Sequence, residues 1–396
     1  MPKEKFFEKK CDWSRVKDSL LCCYLTPYFQ KMMCSGRHTW YVDAFAGAGK
    51  FATGELGSPL LASKIRDERV EHSQVANAAN LISMIFIEPE YAEQLRSHVG
   101  MIRNCEVVEC KSEDYLASLL TRCAGGNLFL YYDPFGVRTF DFNLLTKLNS
   151  SRFASVEILM NFNAFGFFRD ACRVMKVALP KETEYQDDDL SSSRSISDEA
   201  LNRRVGSDFW KEVVRLHADG RINGYDAEKM IADGFVSNLR RVYKYVLNIP
   251  MRVPSGCPKY RMIHVTRHSD GWYLMATNMQ KRKNELDIGE HGEQQLALFD
   301  TCVEGRYVSS VDIENWMEKL LDEVKGEIRY TDFLARLVEK NRLINSFDYV
   351  KKQLKMWEKA ERIKIVRTPA LTKCGKPSIF WEEQGNKRTV TIQKLV

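Results

Sequence analysis

Five short apolar runs recur between residues 39 and 162, most of them followed by a segment of helical spacing, and together they leave few folds open. They are "TWYVDAF" (39–45), "LISMIFIEP" (81–89), "CEVVEC" (105–110), "NLFLYY" (127–132) and "SVEILMNF" (155–162). Apolar runs of this kind read as strands buried on both faces, and helices between them impose parallel connections. The expectation is an open α/β sheet with right-handed crossovers. Further on, "RMIHVTRHSDGWYLMATN" (261–278) reads as a β-hairpin turning at Ser-Asp-Gly, which completes a seven-stranded sheet. Two helical segments, around 201–217 and 226–247, precede it. Upstream, "WSRVKDSLLCCYLTPYFQKMM" (13–33) has the spacing of a helix that Pro27 kinks or interrupts, with Cys22 and Cys23 in the core.

With 396 residues the chain has room for two or three cores. We expect an N-terminal helical segment (1–37), a Rossmann-like domain (38–300) with a helical insertion at about 180–250, and a C-terminal domain (301–396). The polar, serine-rich stretch 182–200 falls in the insertion and reads as exposed. After Val311 the pattern becomes helix, helix, helix, hairpin. "SVDIENWMEKLLDEVKG" closes at Gly326, "YTDFLARLVEKN" opens at a Thr331 cap, and "SFDYVKKQLKMWEKAERI" at a Ser346 cap. The strands "IKIVRT" and "SIFWEE" then flank the loop "PALTKCGKP", which is the order of a winged helix.

Charge separates this end from the rest. Residues 340–396 carry 14 Lys/Arg against 5 Asp/Glu, a balance of +9, so the other 339 residues sum to −3. Lys351, Lys352, Lys355 and Lys359 on the third helix, with Lys373 and Lys376 in the loop, point to an anionic partner, DNA or RNA. A winged helix that docks protein is the alternative. No run approaches the roughly 20 apolar residues of a membrane span. The charged start "MPKEKFFEKK" is no signal peptide, so a cytoplasmic location is expected. Eleven scattered cysteines without metal-ligand spacing read as free thiols, with no metal site.

Three strand ends carry chemistry. The first gives "VDAFAGAGKFATG", where Asp43 and Phe45 lead into Gly47 and Gly49, glycines that let backbone pass close to a ligand. The loop fits an adenosine cofactor, either S-adenosylmethionine or NAD, and alone does not choose between them. The second strand ends in Glu88, suited to ribose hydroxyls, but 39 residues beyond Gly49 where about 20 is usual. That enlarged loop weakens the dinucleotide reading, because a pyrophosphate needs a helix to start at the glycines. After the third strand, Asp114 fits an adenine amino group, and a helix-cap role for Ser112 or Asp114 explains the segment equally well.

The fourth strand runs into Asp133-Pro134-Phe135-Gly136. An exocyclic base nitrogen is a poor nucleophile because its lone pair is delocalised into the ring. The Asp133 carboxylate and Pro134 carbonyl can accept its N–H hydrogens, aim the lone pair and stabilise positive charge developing on nitrogen. Phe135 can stack on an extruded base, and Gly136 permits close approach. Asn161 and Arg169 in "NFNAFGFFRD" are candidates to line the site, or simply a satisfied strand end.

"DPFG" resembles the fourth motif of amino-group methyltransferases, both the adenine-N6 enzymes and, more literally, the tRNA guanine-N2 enzymes. "DAFAGAG" resembles their first. Over nearly the whole length, "YVDAFAGAGKFATGELGSPLLA", "FIEP", "YYDPFG" and "NF" are similar to the bacterial three-Cys-motif partner proteins. The resemblance implies a Rossmann-like methyltransferase sheet, S-adenosyl-L-methionine as cofactor, and a three-Cys-motif, radical-SAM-like protein as partner. Phe135-Gly136 stands where adenine-N6 enzymes have proline and an aromatic, so adenine does not follow as the target. The other readings are a non-catalytic nucleic-acid-binding module that recruits a partner enzyme and, more weakly, an NAD-dependent oxidoreductase.

Overall fold

The computed structural model describes residues 12–134, 139–179, 196–252, 258–288, 302–303, 306–307, 309–341, 347–384 and 387–395. The chain divides into two compact units, Met1–Arg267 and His268–Val396. The expected boundary near residue 300 and most of the serine-rich stretch lie outside the described residues.

The first unit contains β1 (Thr39–Asp43), β2 (Ile82–Ile87), β3 (Cys105–Val108), β4 (Asn127–Tyr132), β5 (Ser155–Phe162), β6 (Tyr245–Arg252) and β7 (Pro258–Thr266). They form one sheet in the order β3-β2-β1-β4-β5-β7-β6. Strands β1 to β5 pair in parallel, whereas β7 is antiparallel to both β5 and β6. The chain builds outward from β1 to β3 and then crosses back to β4. The strand order therefore reverses between β1 and β4, and it is outside the carboxyl ends of such a pair that open sheets bind ligands.

Helices cover both faces. On one, α1 (Asp12–Cys34) buries Tyr24, Leu25, Tyr28 and Phe29 completely. Tyr28 packs on Phe129, and Tyr41 stacks on the same ring at 5.8 Å. The helix runs through Pro27 unbroken, so this packing outweighs the roughly 3 kcal/mol that an internal proline costs. Cys22 and Cys23 are half buried, at the helix margin rather than in the core as expected. On the other face Val42, Leu128, Leu130, Val156 and Ile158 form one core with Phe168, Leu201, Trp210 and Phe235.

Along the chain these helices are α2 (Ser58–Glu71), α3 (Ala92–Val99), α4 (Ser112–Tyr115), α5 (Leu119–Arg122), α6 (Phe142–Leu148), α7 (Ala164–Met175), α8 (Asp198–Val205), α9 (Trp210–Ala218) and α10 (Gly224–Arg240). The late hairpin differs from expectation. It is formed by β6 and β7, and Ser-Asp-Gly begins helix α11 (Ser269–Ile288) instead of turning. Trp272, Met275, Ala276 and Met279 are all buried at helical spacing, a pattern that outranks the glycine. The supposed helix 226–247 ends at Arg240, leaving Tyr245 onward to the sheet.

The second unit begins with α11 and a short ladder, β8 (Cys302–Val303) with β9 (Arg306–Tyr307). Then follow α12 (Ser310–Glu323), β10 (Glu327–Arg329), α13 (Tyr330–Asn341), α14 (Phe347–Lys359), β11 (Ile363–Thr368) and β12 (Thr389–Lys394). The three strands make an antiparallel sheet in the order β10-β12-β11. The partner of β11 is thus "TVTIQK", whose Val390 and Ile392 are buried at alternate positions, and not "SIFWEE" as expected. In that segment the buried Glu383 carboxylate accepts the Thr331 and Val390 backbone N–H groups and bonds to Arg329 and the Thr331 hydroxyl. Thr331 therefore lies inside α13 and does not cap it. Ser346 lies outside the described residues.

Candidate active site

Sheet register brings the three strand ends together. Asp43 is level with Phe86 on β2 and with Tyr131 on β4. Glu88 and Asp133 each lie two residues beyond those partners, so they overhang the sheet beside Asp43.

Asp43 is fully buried. Its Oδ1 accepts the Phe45 N–H (3.2 Å) and its Oδ2 the Ser58 hydroxyl (2.6 Å). Burial, with a smaller push from the charges of Asp133 and Asp18, raises its carboxyl to about 7 against those two hydrogen bonds. Ser58, expected as the cap of α2, spends its hydroxyl here, and Gly57 holds the cap position. Gly47 and Gly49 both have positive φ, +62° and +79°. A Cβ at Gly49 would lie 2.8 Å from the Leu95 side chain, so the turn requires glycine on two counts. Phe45 sets its ring edge-on to Tyr132 at 5.0 Å.

Glu88 is buried and braces this loop. Oε2 accepts the Gly47 N–H (2.8 Å), while Oε1 accepts those of Glu90 (2.8 Å) and Tyr91 (3.1 Å). A carboxylate has about four acceptor positions, so one is left, on Oε2. After β3, Ser112 is buried with its hydroxyl on the Ala44 carbonyl, which ties α4 to the same loop. Asp114 is exposed on α4 and caps nothing with its side chain.

Asp133 has a different environment. Its Oδ2 accepts the Lys17 ammonium of α1 (2.6 Å) and the Tyr131 hydroxyl (3.1 Å), and its Oδ1 accepts the Asn161 amide (2.8 Å). The Lys17 and Asp133 side chains are 12% and 18% exposed, so the pair sits at the rim of the interior. Asn161 thus lies against Asp133 through this bond, whereas Arg169 lies against the Phe165 ring. Pro134 follows Asp133 directly; Phe135 and Gly136 lie outside the described residues. Lys17 and Tyr131 went unseen in the sequence. Tyr131 reads there as one more apolar strand residue, and Lys17 as the polar side of an amphipathic helix. Nothing local marks either one.

In the second unit, Lys352, Lys355 and Lys359 are exposed along one face of α14. Lys351 is half buried against Asp348 (3.5 Å) and Tyr273. Lys373 and Lys376 are exposed in a tight turn closed by Thr372 N–H to the Lys376 carbonyl (2.7 Å). Among the described residues no group of His, Cys, Asp and Glu is arranged to hold a metal ion, and no helix is long and apolar enough to cross a membrane.

No family model and no curated protein matches the chain. Among solved structures it is similar to Trm1 from Pyrococcus horikoshii in complex with S-adenosyl-L-methionine, at 9% identity and a TM-score of 0.32, over 96% of this chain and 95% of that one. It is similar to the putative methyltransferase yhhF from Escherichia coli at 17% identity and a TM-score of 0.25, over 39% and 71%. A conserved hypothetical protein from Streptococcus pyogenes aligns at 11% identity and 0.22, over 32% and 69%. Scores this low carry no argument about activity. The Rossmann-like assignment rests on the strand order itself.

Proposed function

We propose that the chain is an S-adenosyl-L-methionine-dependent methyltransferase acting on an exocyclic amine of a nucleic-acid base. One observation carries this reading: the reversal of strand order puts a glycine turn braced by Glu88 and a rim carboxylate, Asp133, at the same end of neighbouring strands. The residues fit the cofactor. Gly47 and Gly49 let backbone approach it, and Glu88 keeps one acceptor position for a ribose hydroxyl. An NAD reading fits less well, because α2 starts at Ser58, well past the glycines, and offers no helix N-terminus to a pyrophosphate there.

When bound, the cofactor supplies an electrophilic methyl group. The chain supplies orientation. Asp133, held by Tyr131 and Asn161, accepts an amine N–H, aims the nitrogen lone pair and stabilises the charge that develops on it. The second unit, read as a winged helix, holds the nucleic acid through Lys352, Lys355, Lys359, Lys373 and Lys376. A three-Cys-motif, radical-SAM-like protein as partner belongs to the same proposal.

One observation favours the non-catalytic binding module instead: Lys17 already occupies Asp133. Two measurements separate the readings. Thermal stabilisation by S-adenosylhomocysteine but not NAD supports the enzyme, and stabilisation by neither supports the binding module. Transfer of labelled methyl into total DNA and total RNA, assayed side by side, then names the substrate; no transfer to either sinks the enzyme reading.

A further inference from the structure

The carboxylate assigned to the target amine is crowded. Of its four or so acceptor positions, Lys17 and Tyr131 fill those on Oδ2, and Asn161 takes one on Oδ1. The crowding has an electrostatic side. An ammonium 2.6 Å from Asp133 cancels the negative charge that a nitrogen turning positive during methyl transfer needs. In the paired state Asp133 is therefore poorly set up for the chemistry. Lys17 also cannot simply withdraw, because its side chain is only 12% exposed and an ammonium leaving a carboxylate there needs another anion. The same stretch of α1 is held a second time. Arg15 bonds to Glu55 (3.1 Å) in the enlarged loop between Gly49 and α2, so this stretch is pinned both to the loop after β1 and to the end of β4.

We propose that Lys17 is a substrate-operated latch: it holds Asp133 at rest and transfers its ion pair to a phosphate flanking the target base when a nucleotide chain enters. The proposal rests on the reading of Asp133 as the carboxylate that meets the substrate. It adds a selection rule. A base carried on a phosphate backbone opens the site, whereas a free nucleoside lacks the anion that draws Lys17 away and must compete with an intact ion pair.

The test uses opposite signs and needs no turnover. Binding of random single-stranded DNA and RNA dodecamers, and of the matching nucleosides, is measured on the full chain and on Lys17→Met. The latch requires Lys17→Met to bind a nucleoside more tightly, since its competitor is gone. It must also bind the dodecamer less tightly, with the salt slope reduced by about 0.7 for one lost phosphate contact on a single strand. Lys17→Arg keeps the cation and should stay near wild type on both probes. If both affinities move the same way, if neither moves, or if neither dodecamer binds the wild-type chain, the latch is wrong. A chain that passes this test yet transfers no methyl keeps the latch and loses the enzyme reading.

Discussion

The loops after β1 and β4 begin from the same residue type and do opposite things with it. Asp43 is sunk among its own backbone and Ser58, with burial working against its charge. Asp133 stays at the rim, and its charge is matched by Lys17. The contrast separates a carboxylate that shapes a turn from one that waits for a partner. A strand-end aspartate in sequence is compatible with either role; its neighbours in space decide.

The comparison breaks first at Asp133. Asp133→Ala should slow single-turnover methyl transfer on the order of 10²–10³-fold, the cost of removing one preorganised electrostatic partner. Cofactor affinity should stay near wild type. Asp133→Asn keeps a carbonyl acceptor and should retain part of the rate. If Asp133→Ala transfers methyl normally, the two loops differ in surroundings but not in role.

Asp43 offers the next test, in stability. Because its folded carboxyl titrates near 7 against 3.8 in an ordinary setting, the folded chain keeps a proton that the unfolded chain releases in between. This contribution is thus fully present below about pH 4, declines as pH rises to about 7, and then levels off, a change of a few kcal/mol at most. Asp43→Asn cannot titrate, so its unfolding free energy should fall less over that range. Parallel urea titrations at pH 4 and pH 7.5 check it, and equal changes in the two proteins would put Asp43 in a wetter setting than described.

Glu88 sharpens the same contrast from the cofactor side. Glu88→Ala should weaken S-adenosylmethionine binding by about tenfold, since a hydrogen bond to a charged group is worth roughly 1.5–3 kcal/mol. It also releases three backbone N–H groups, so calorimetry needs a matched melting curve. Glu88→Gln, which keeps an acceptor, should lose less. The smallest effect belongs to the second unit. Replacing Lys352, Lys355 and Lys359 together should flatten the salt dependence of duplex binding by up to about 0.9 per lost contact. An unchanged slope would make that face a protein-docking surface.

The sheet was legible because β1, β2, β4 and β5 are buried along nearly their whole length and announce themselves as apolar runs, whereas the edge strand β3 exposes Glu106 and is half buried elsewhere. The hairpin was misread because Ser-Asp-Gly is a turn signal locally, while Trp272, Met275, Ala276 and Met279 reveal a helix only when their spacing is weighed against it. "SIFWEE" reads as a strand from its place across the loop from "IKIVRT", whereas Glu383 uses its acceptors on Thr331 and Val390 from outside the ladder. At the site, Asp43, Gly47, Gly49, Glu88 and Asp133 were all marked by position at strand ends. Lys17 was not, because an ion pair spanning 116 residues leaves no trace in local pattern.

Helix α1 carries a consequence for how the chain is made. It is synthesised before the seven strands of the sheet, yet the Tyr24 hydroxyl finds its acceptor on Glu157, 133 residues later, and the Tyr24 ring also packs on His264, later still. Until β5 and β7 have emerged, the aromatic surface of Tyr24, Tyr28 and Phe29 can dock only in part, on Tyr41 of β1 and Phe129 of β4, and Tyr24 lacks Glu157 and His264. Contacts this distant in sequence close slowly and leave sticky surface exposed meanwhile. Nascent chains stopped short of residue 266 should therefore engage chaperones through helix α1, and release should coincide with the arrival of β7.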